Sequence, residues 1–448
     1  MDAYNSLLDH TQSLKIVDTH EHLPLESERP KDTDVLAEWL LHYFSCDLVS
    51  AGLTDNDLST VRDSRQDITR RWKIVEPYWR AAESTGYGRA LAFTARDIYG
   101  IESINGQTIE RLDGLFKEAR RRGGHYRFVL RDKSDIAVSI SDLTPIPNQE
   151  TDDSFVFAMK IDGFVCPAHY SQMRTAGSEV GIEVHTLDDW MAVTRRHIEK
   201  NVNGRTRVVC LKVDLAYHRS LRFDKVTYAN AEHAFNELFN DCNLPERRPP
   251  IKVAKVLSDW MMHFVCRVAD DNKLVCQIHT GIQEGYGNVI YDANPTLLTN
   301  LFLEYRNARF DVFHMGYPYV MELGTLAKNF RNVFINMCWG HIISPEAARR
   351  ALVEWLDAVP ANKISAFGGD YCFVDGVYGH QFLARRNVAA SLAQKVTDGS
   401  ISLSRAREVA TWLFVDNPKR LFGLDRFLDD EAEEKGQVPS KPDAGDGQ

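Results

Sequence analysis

Short apolar, β-rich runs return along this chain at helix-length intervals, and that alternation restricts the fold more than any other feature. The runs lie at 136–143 (IAVSISDL), 155–161 (FVFAMKI), 208–215 (VVCLKVDL), 274–279 (LVCQIH), 310–314 (FDVFH), 333–337 (VFINM) and 364–367 (ISAF). Helical patterns fill segments between them, as at 187–200 and 252–269. An earlier run at 16–18 (IVD) brings the number to eight. Strands alternating with helices form parallel βαβ units. Eight of them predict an α/β fold, a (β/α)8 TIM barrel.

Several runs end in residues that carry chemistry. His20-Glu21-His22 closes the first, and side chains two apart on a strand point the same way. Two converging imidazoles can chelate a transition metal. A lone His-x-His is too short a pattern to carry that reading, and two unrelated loop histidines would be the simpler account. Lys212 lies in the fourth run, His279 ends the fifth, His314 the sixth, and Asp370 follows the eighth. A barrel places its active site at the C-terminal ends of its strands. Ligand-type residues at five equivalent positions favour a metal site over chance. Three neutral imidazoles and a carboxylate leave a divalent ion an open position, where bound water becomes a nucleophile near neutral pH. Asp370 is then a candidate proton acceptor and donor. His314 is a candidate group for the substrate oxygen.

More than a hundred residues separate the first two runs, and 32–50, 67–84 and 108–122 read as helices. The expected organisation is a barrel over 1–31 and 131–425, a helical insertion over 32–130, and a disordered tail over 426–448. Trp39, Tyr43, Trp72, Tyr78 and Trp79 supply aromatic bulk there, mostly for core packing, although the insertion emerges at the active-site face and could form a lid. Arg219 and Arg222, after the fourth run, could clamp a substrate carboxylate, as could Arg386 beside Arg385 after the eighth; surface charge is the rival reading.

The net charge of −10 argues against a nucleic-acid partner. No run approaches a membrane span, and the first residues lack the basic and apolar regions of a signal peptide. The eight cysteines form no CxxC pair and mostly sit in apolar runs, as reduced core residues do. A cytoplasmic protein with a small-molecule substrate is expected, with a homo-oligomer allowed.

The motifs Asp18-Thr19-His20-Glu21-His22, Gln277-Ile278-His279-Thr280-Gly281, His314-Met315-Gly316-Tyr317-Pro318 and Gly368-Gly369-Asp370 together resemble the amidohydrolase superfamily, in particular its type 2, amidohydrolase-related branch. The resemblance covers residues 14–24 and 136–423. It implies a (β/α)8 barrel with one or two divalent ions, held by His20, His22, His279 and Asp370, with His314 on a second metal or on the reacting group. Binuclear members bridge their metals with a carboxylated lysine near the position of Lys212. A Lys212–Asp214 pair or a substrate contact is favoured here, and with it a single ion, Zn2+ first and Mn2+ as alternative. The segment from Gln277 through Pro318 also resembles the amidohydrolase-like module found beside glutamine-synthetase-like domains.

The resemblance implies a metal-dependent hydrolase that cleaves a C–N or C–O bond of a small, potentially carboxylated molecule. A sugar-acid isomerase is the first alternative. The long insertion, Gln277-x-His279-x-Gly281 and the arginines after Asp370 are similar to uronate isomerases. Against it, those enzymes usually carry an aromatic-His-Cys-His first motif, and His314 sits in an unlike context. A non-oxidative decarboxylase is the second alternative, and a merely structural metal fits the mixed ligand set least.

Overall fold

The computed structural model describes residues 2–143, 154–202, 206–240 and 251–428. The tail expected from 426 is described only to residue 428, within a short helix, Asp425–Leu428; its remainder lies outside the described residues.

Eight strands form one parallel sheet in sequential order: β1 (Ile16–Glu21), β2 (Ile136–Ser141), β3 (Phe155–Lys160), β4 (Val208–Val213), β5 (Val275–Ile278), β6 (Arg309–Val312), β7 (Val333–Asn336) and β8 (Ile364–Ser365). The residues after β8 return to β1: Thr19 N–H donates to the Phe367 carbonyl at 3.1 Å, and Asp370 N–H to the His20 carbonyl at 2.9 Å. The expected (β/α)8 barrel is the observed fold. Strands buried on both faces need continuous apolar runs, which is why they stand out in the sequence.

Apolar side chains of Val17, Val138, Ile140, Val156, Cys210 and Val275 pack with Leu421 and Phe422 of the helix Asn417–Phe422 and with Leu424 just after it. A polar layer crosses the barrel above them. Gln277 on β5 donates to the Thr19 carbonyl of β1 at 2.9 Å, Asn336 to Asp311 Oδ2 at 2.7 Å, and the Thr19 hydroxyl to Asn336 Oδ1 at 3.1 Å. Burial pushes the Asp311 carboxyl up to about 7. This layer underlies the strand ends that carry His20, His279 and His314.

Helices fill the segment between β1 and β2, among them Val35–Trp39, Phe44–Ser50, Ile68–Ala82, Gly86–Tyr99 and Ile109–Arg122. Asp34 starts the first, accepting from Ala37 N–H at 2.9 Å. The helix Gly86–Tyr99 lies so close to the helix Val374–Thr397 that a Cβ on Gly379 would fall 2.0 Å from the Ala90 carbonyl oxygen. Asp375 ties the two bodies together. Its carboxylate accepts from Trp39 Nε1 at 3.0 Å and Tyr99 Oη at 2.8 Å, and meets His125 Nε2 at 2.7 Å. The insertion is thereby fixed beside the strand ends. No helix among the described residues is long and apolar enough to cross a membrane, and seven described cysteines are free.

Asp375→Ala leaves three buried donors without their acceptor, each worth about 1–3 kcal/mol. The variant should lose about 3 kcal/mol or more and melt at a clearly lower temperature in a thermal unfolding scan. An unchanged midpoint would show that this contact does not hold the insertion.

Candidate metal centre

β1 delivers His20 and His22 together, with ring centroids 4.8 Å apart and planes nearly perpendicular. Asp370, from the segment after β8, places Oδ1 3.0 Å from His22 Nε2 and 3.6 Å from His20 Nε2. One donor atom from each of the three lies within 4.8 Å of the others. Asp370 adopts φ +60°, the left-handed region, so its carboxylate direction is imposed by the surroundings.

The donor set fits a divalent ion on two grounds. His20 is fully buried, yet neither ring nitrogen has a hydrogen-bond partner. Buried polar atoms are normally paired, so a group that takes a lone pair suits this ring. Burial, with Lys212 nearby, pushes His20 down to about 3, which keeps it in the neutral form that ligates metal. The second ground is charge. Burial opposes a proton on His22, but the Asp142 and Asp370 carboxylates pull its imidazole up to about 10. Asp370 is itself held well below the usual carboxylate range; burial works against this, and is outweighed by the hydrogen bond from His22 and by the His314 and His20 rings. The pocket thus draws positive charge to the point where the three side chains meet.

Asp142, just after β2, orients His22 by meeting Nδ1 at 2.7 Å, which leaves Nε2 directed at Asp370. Such outer carboxylates set ring direction and raise ligand basicity. Lys160 at the end of β3 pairs with Asp142 at 2.8 Å and with Asp214 at 3.4 Å.

The other expected residues are arranged differently. His279 is not gathered with His20, His22 and Asp370. Its Nδ1 lies 2.9 Å from His314 Nε2, and its Nε2 donates to the Ile282 carbonyl at 2.9 Å, so both ring nitrogens are engaged. His314 Nδ1 contacts the Cys338 carbonyl at 3.1 Å and lies 3.8 Å from Asp370 Oδ2. His314, Cys338 and Asp370 form a second close group of donor atoms. Lys212 is buried and paired with Asp214, its ammonium 4.6 Å from the Phe313 ring centroid. Arg219 is bound by Asp259 at 2.6 Å, and Arg222 by Asp224 at 2.9 Å. The exposed Arg386 guanidinium lies over Phe382, 5.5 Å from the centroid, on the helix Val374–Thr397. None of these three arginines is brought to the His20–His22–Asp370 cluster.

Sequence reasoning missed Asp142 and Lys160, although one directly follows β2 and the other ends β3, where the strand-end rule covers them. It also read Tyr43 as packing bulk. The Tyr43 hydroxyl approaches the Asp370 carbonyl at 2.5 Å and donates to Oδ2 at 2.7 Å, while its ring stacks on Trp339 at 4.5 Å. His42 lies beside it, 6.3 Å from His22 between ring centroids, with Nδ1 buried and without a partner.

Fold and site define a (β/α)8 barrel with a candidate metal centre at the strand ends. Residues 258–424 match the family model described as Amidohydrolase. Protein fluG of Emericella nidulans is 27% identical over 183 residues, 38% of this chain but only 20% of that protein's length. A uronate isomerase of Cutibacterium acnes is 23% identical over 452 residues, covering 92% of this chain and 94% of that one. The crystal structure of a uronate isomerase from Thermotoga maritima superposes with a TM-score of 0.76 at 15% identity, over 94% of this chain and 97% of that one. The Amidohydrolase match is thus confined to residues 258–424, whereas the likeness to uronate isomerases spans nearly the whole chain.

Asp142→Asn keeps the size of the side chain but removes the charge behind His22. Metal affinity, measured by competition with a chelator, should fall roughly ten- to hundredfold. Unchanged affinity would remove Asp142 from the site.

Proposed function

We propose that this chain is a metal-dependent sugar-acid isomerase of the uronate-isomerase type, with one ion, Zn2+ or Mn2+, held by His20, His22 and Asp370. The observation that carries the reading is the placement of His42 and Tyr43: an insertion brings a hydroxyl onto Asp370 and an unpartnered imidazole nitrogen beside His22. Support comes from the likeness to uronate isomerases over nearly the whole chain, insertion included.

Aldose–ketose isomerisation moves a proton between adjacent carbons and another between their oxygens. When bound, the metal supplies Lewis acidity toward a substrate carbonyl or hydroxyl oxygen. Burial, with Asp370 adjacent, pushes the Tyr43 hydroxyl well above its usual range, so it stays protonated and can donate a hydrogen bond to a substrate oxygen. Burial, with His22 nearby, pushes His42 down to about 3. Its imidazole is therefore neutral at ordinary pH and offers Nδ1 as the acceptor for the carbon-bound proton. Lys160, with its side chain 45% exposed, offers a cation for the substrate carboxylate. With His22 neutral, the carboxylates of Asp142, Asp214 and Asp370 outnumber the ammonium groups of Lys160 and Lys212 by one, and a divalent ion reverses that balance in favour of an anionic substrate.

Hydrolysis is the second reading, favoured by the match of residues 258–424 to the Amidohydrolase family. It gives Asp370 the proton of the attacking water and His314 the substrate oxygen. Asp370, already facing His20 and His22 through Oδ1 and accepting from the Tyr43 hydroxyl at Oδ2, is placed as a ligand rather than as a free base.

The test is incubation of metal-loaded protein with D-glucuronate and D-galacturonate in D2O, followed by NMR. The expected product is a ketose of unchanged skeleton that carries solvent deuterium, and His42→Ala should lower its rate about 10²–10⁴-fold. No turnover of either hexuronate, together with uptake of solvent oxygen from an amide or ester panel, would replace isomerase by hydrolase.

A further inference from the structure

Three successive amides after β8 end on β1. Gly369 N–H donates to Asp18 Oδ1 at 3.0 Å, Asp370 N–H to the His20 carbonyl at 2.9 Å, and Tyr371 N–H to Glu21 Oε2 at 2.8 Å. Two of the three acceptors are carboxylates, and both are fully buried. Asp18 is fixed in turn by Ser139, whose hydroxyl donates to Oδ2 at 2.8 Å. The fit is close enough that a Cβ on Gly369 would fall 1.7 Å from Glu21 Oε1, so a side chain there would displace the Glu21 carboxylate.

Neither Asp18 nor Glu21 belongs to the cluster of His20, His22 and Asp370. Between the two captured amides sits Asp370, held at φ +60°, a conformation that a non-glycine residue leaves unless its neighbours prevent it. The geometry points to Asp18 and Glu21 as positioning residues: by fixing the amides on either side of Asp370, they aim its carboxylate at His20 and His22. This role rests on the metal reading given above. A buried carboxylate at position 21 otherwise carries a desolvation cost with no contact to the surface. Removing Glu21 leaves the Tyr371 amide unpaired and opens space against Gly369, so the segment can relax and turn Asp370 away from the imidazoles.

The experiment uses the full chain and Zn2+ in competition with a chromophoric chelator. Glu21→Ala should weaken Zn2+ binding roughly tenfold or more, as loss of an outer support does. Glu21→Gln, which keeps an acceptor for the Tyr371 amide, should stay close to the parent. Hydrogen exchange of the peptide spanning 366–372 should accelerate in the alanine variant and not in the glutamine variant. Should Glu21→Ala fail to fold, Gly369→Ala perturbs the same contact from the other side, and it too should weaken Zn2+ binding. Parent-like Zn2+ affinity in Glu21→Ala, or in Gly369→Ala where that variant stands in, while Asp370→Asn loses binding, overturns the positioning role alone. A parent protein that takes up no Zn2+ overturns the metal reading and the role together.

Discussion

The docking of residues 367–371 onto β1 is the contact on which the rest of the molecule turns. It completes the ring between the last strand and the first, through Thr19 N–H to the Phe367 carbonyl and His22 N–H to the Tyr371 carbonyl, each at 3.1 Å. The same contact carries Asp370 to the two histidines of β1. Barrel closure and assembly of the donor cluster are therefore one event, and a perturbation of either reaches the other.

Backbone strain gathers at the same end of the barrel. His314, Met315, Trp339 and Asp370 all have φ near +60° and follow β6, β7 and β8. Each costs roughly 1–3 kcal/mol and persists only where the surroundings over-determine it. The polar layer of Thr19, Gln277, Asp311 and Asn336 lies directly beneath and provides such a frame, with hydrogen bonds that reach across the barrel. From the other side, Tyr43 of the insertion presses on Asp370, backed by its stack on Trp339 and Tyr87. The insertion is thus a wall of the centre, anchored through Asp375.

The barrel was legible because buried parallel strands need apolar runs, and because strand ends are where the chain can present chemistry. β1 extends to Glu21, past the last apolar residue, since Asp18, Thr19 and Glu21 find buried hydrogen-bond partners that hydropathy alone cannot reveal. His20, His22 and Asp370 could be picked out one by one, yet their convergence depends on ring closure, a relation between residues some 350 positions apart. The pairing of His279 with His314 was not legible, because it depends on the side-chain directions of two neighbouring strands. Arg219 illustrates a further limit: its anchor Asp259 lies forty residues on, and no local pattern announces it. His42 and Tyr43 were hidden because they lie in a break between the helices Val35–Trp39 and Phe44–Ser50, where the sequence pattern reads as one continuous helix over 32–50.

The most direct test of the central claim is the position of the ion, found by anomalous diffraction from crystals grown with Zn2+. A single strong peak bonded to His20 Nε2, His22 Nε2 and Asp370 Oδ1, with Asp142 behind His22, is the predicted result. A peak bonded to His314 and Cys338 without either β1 histidine would contradict it and move the chemistry to the ends of β6 and β7.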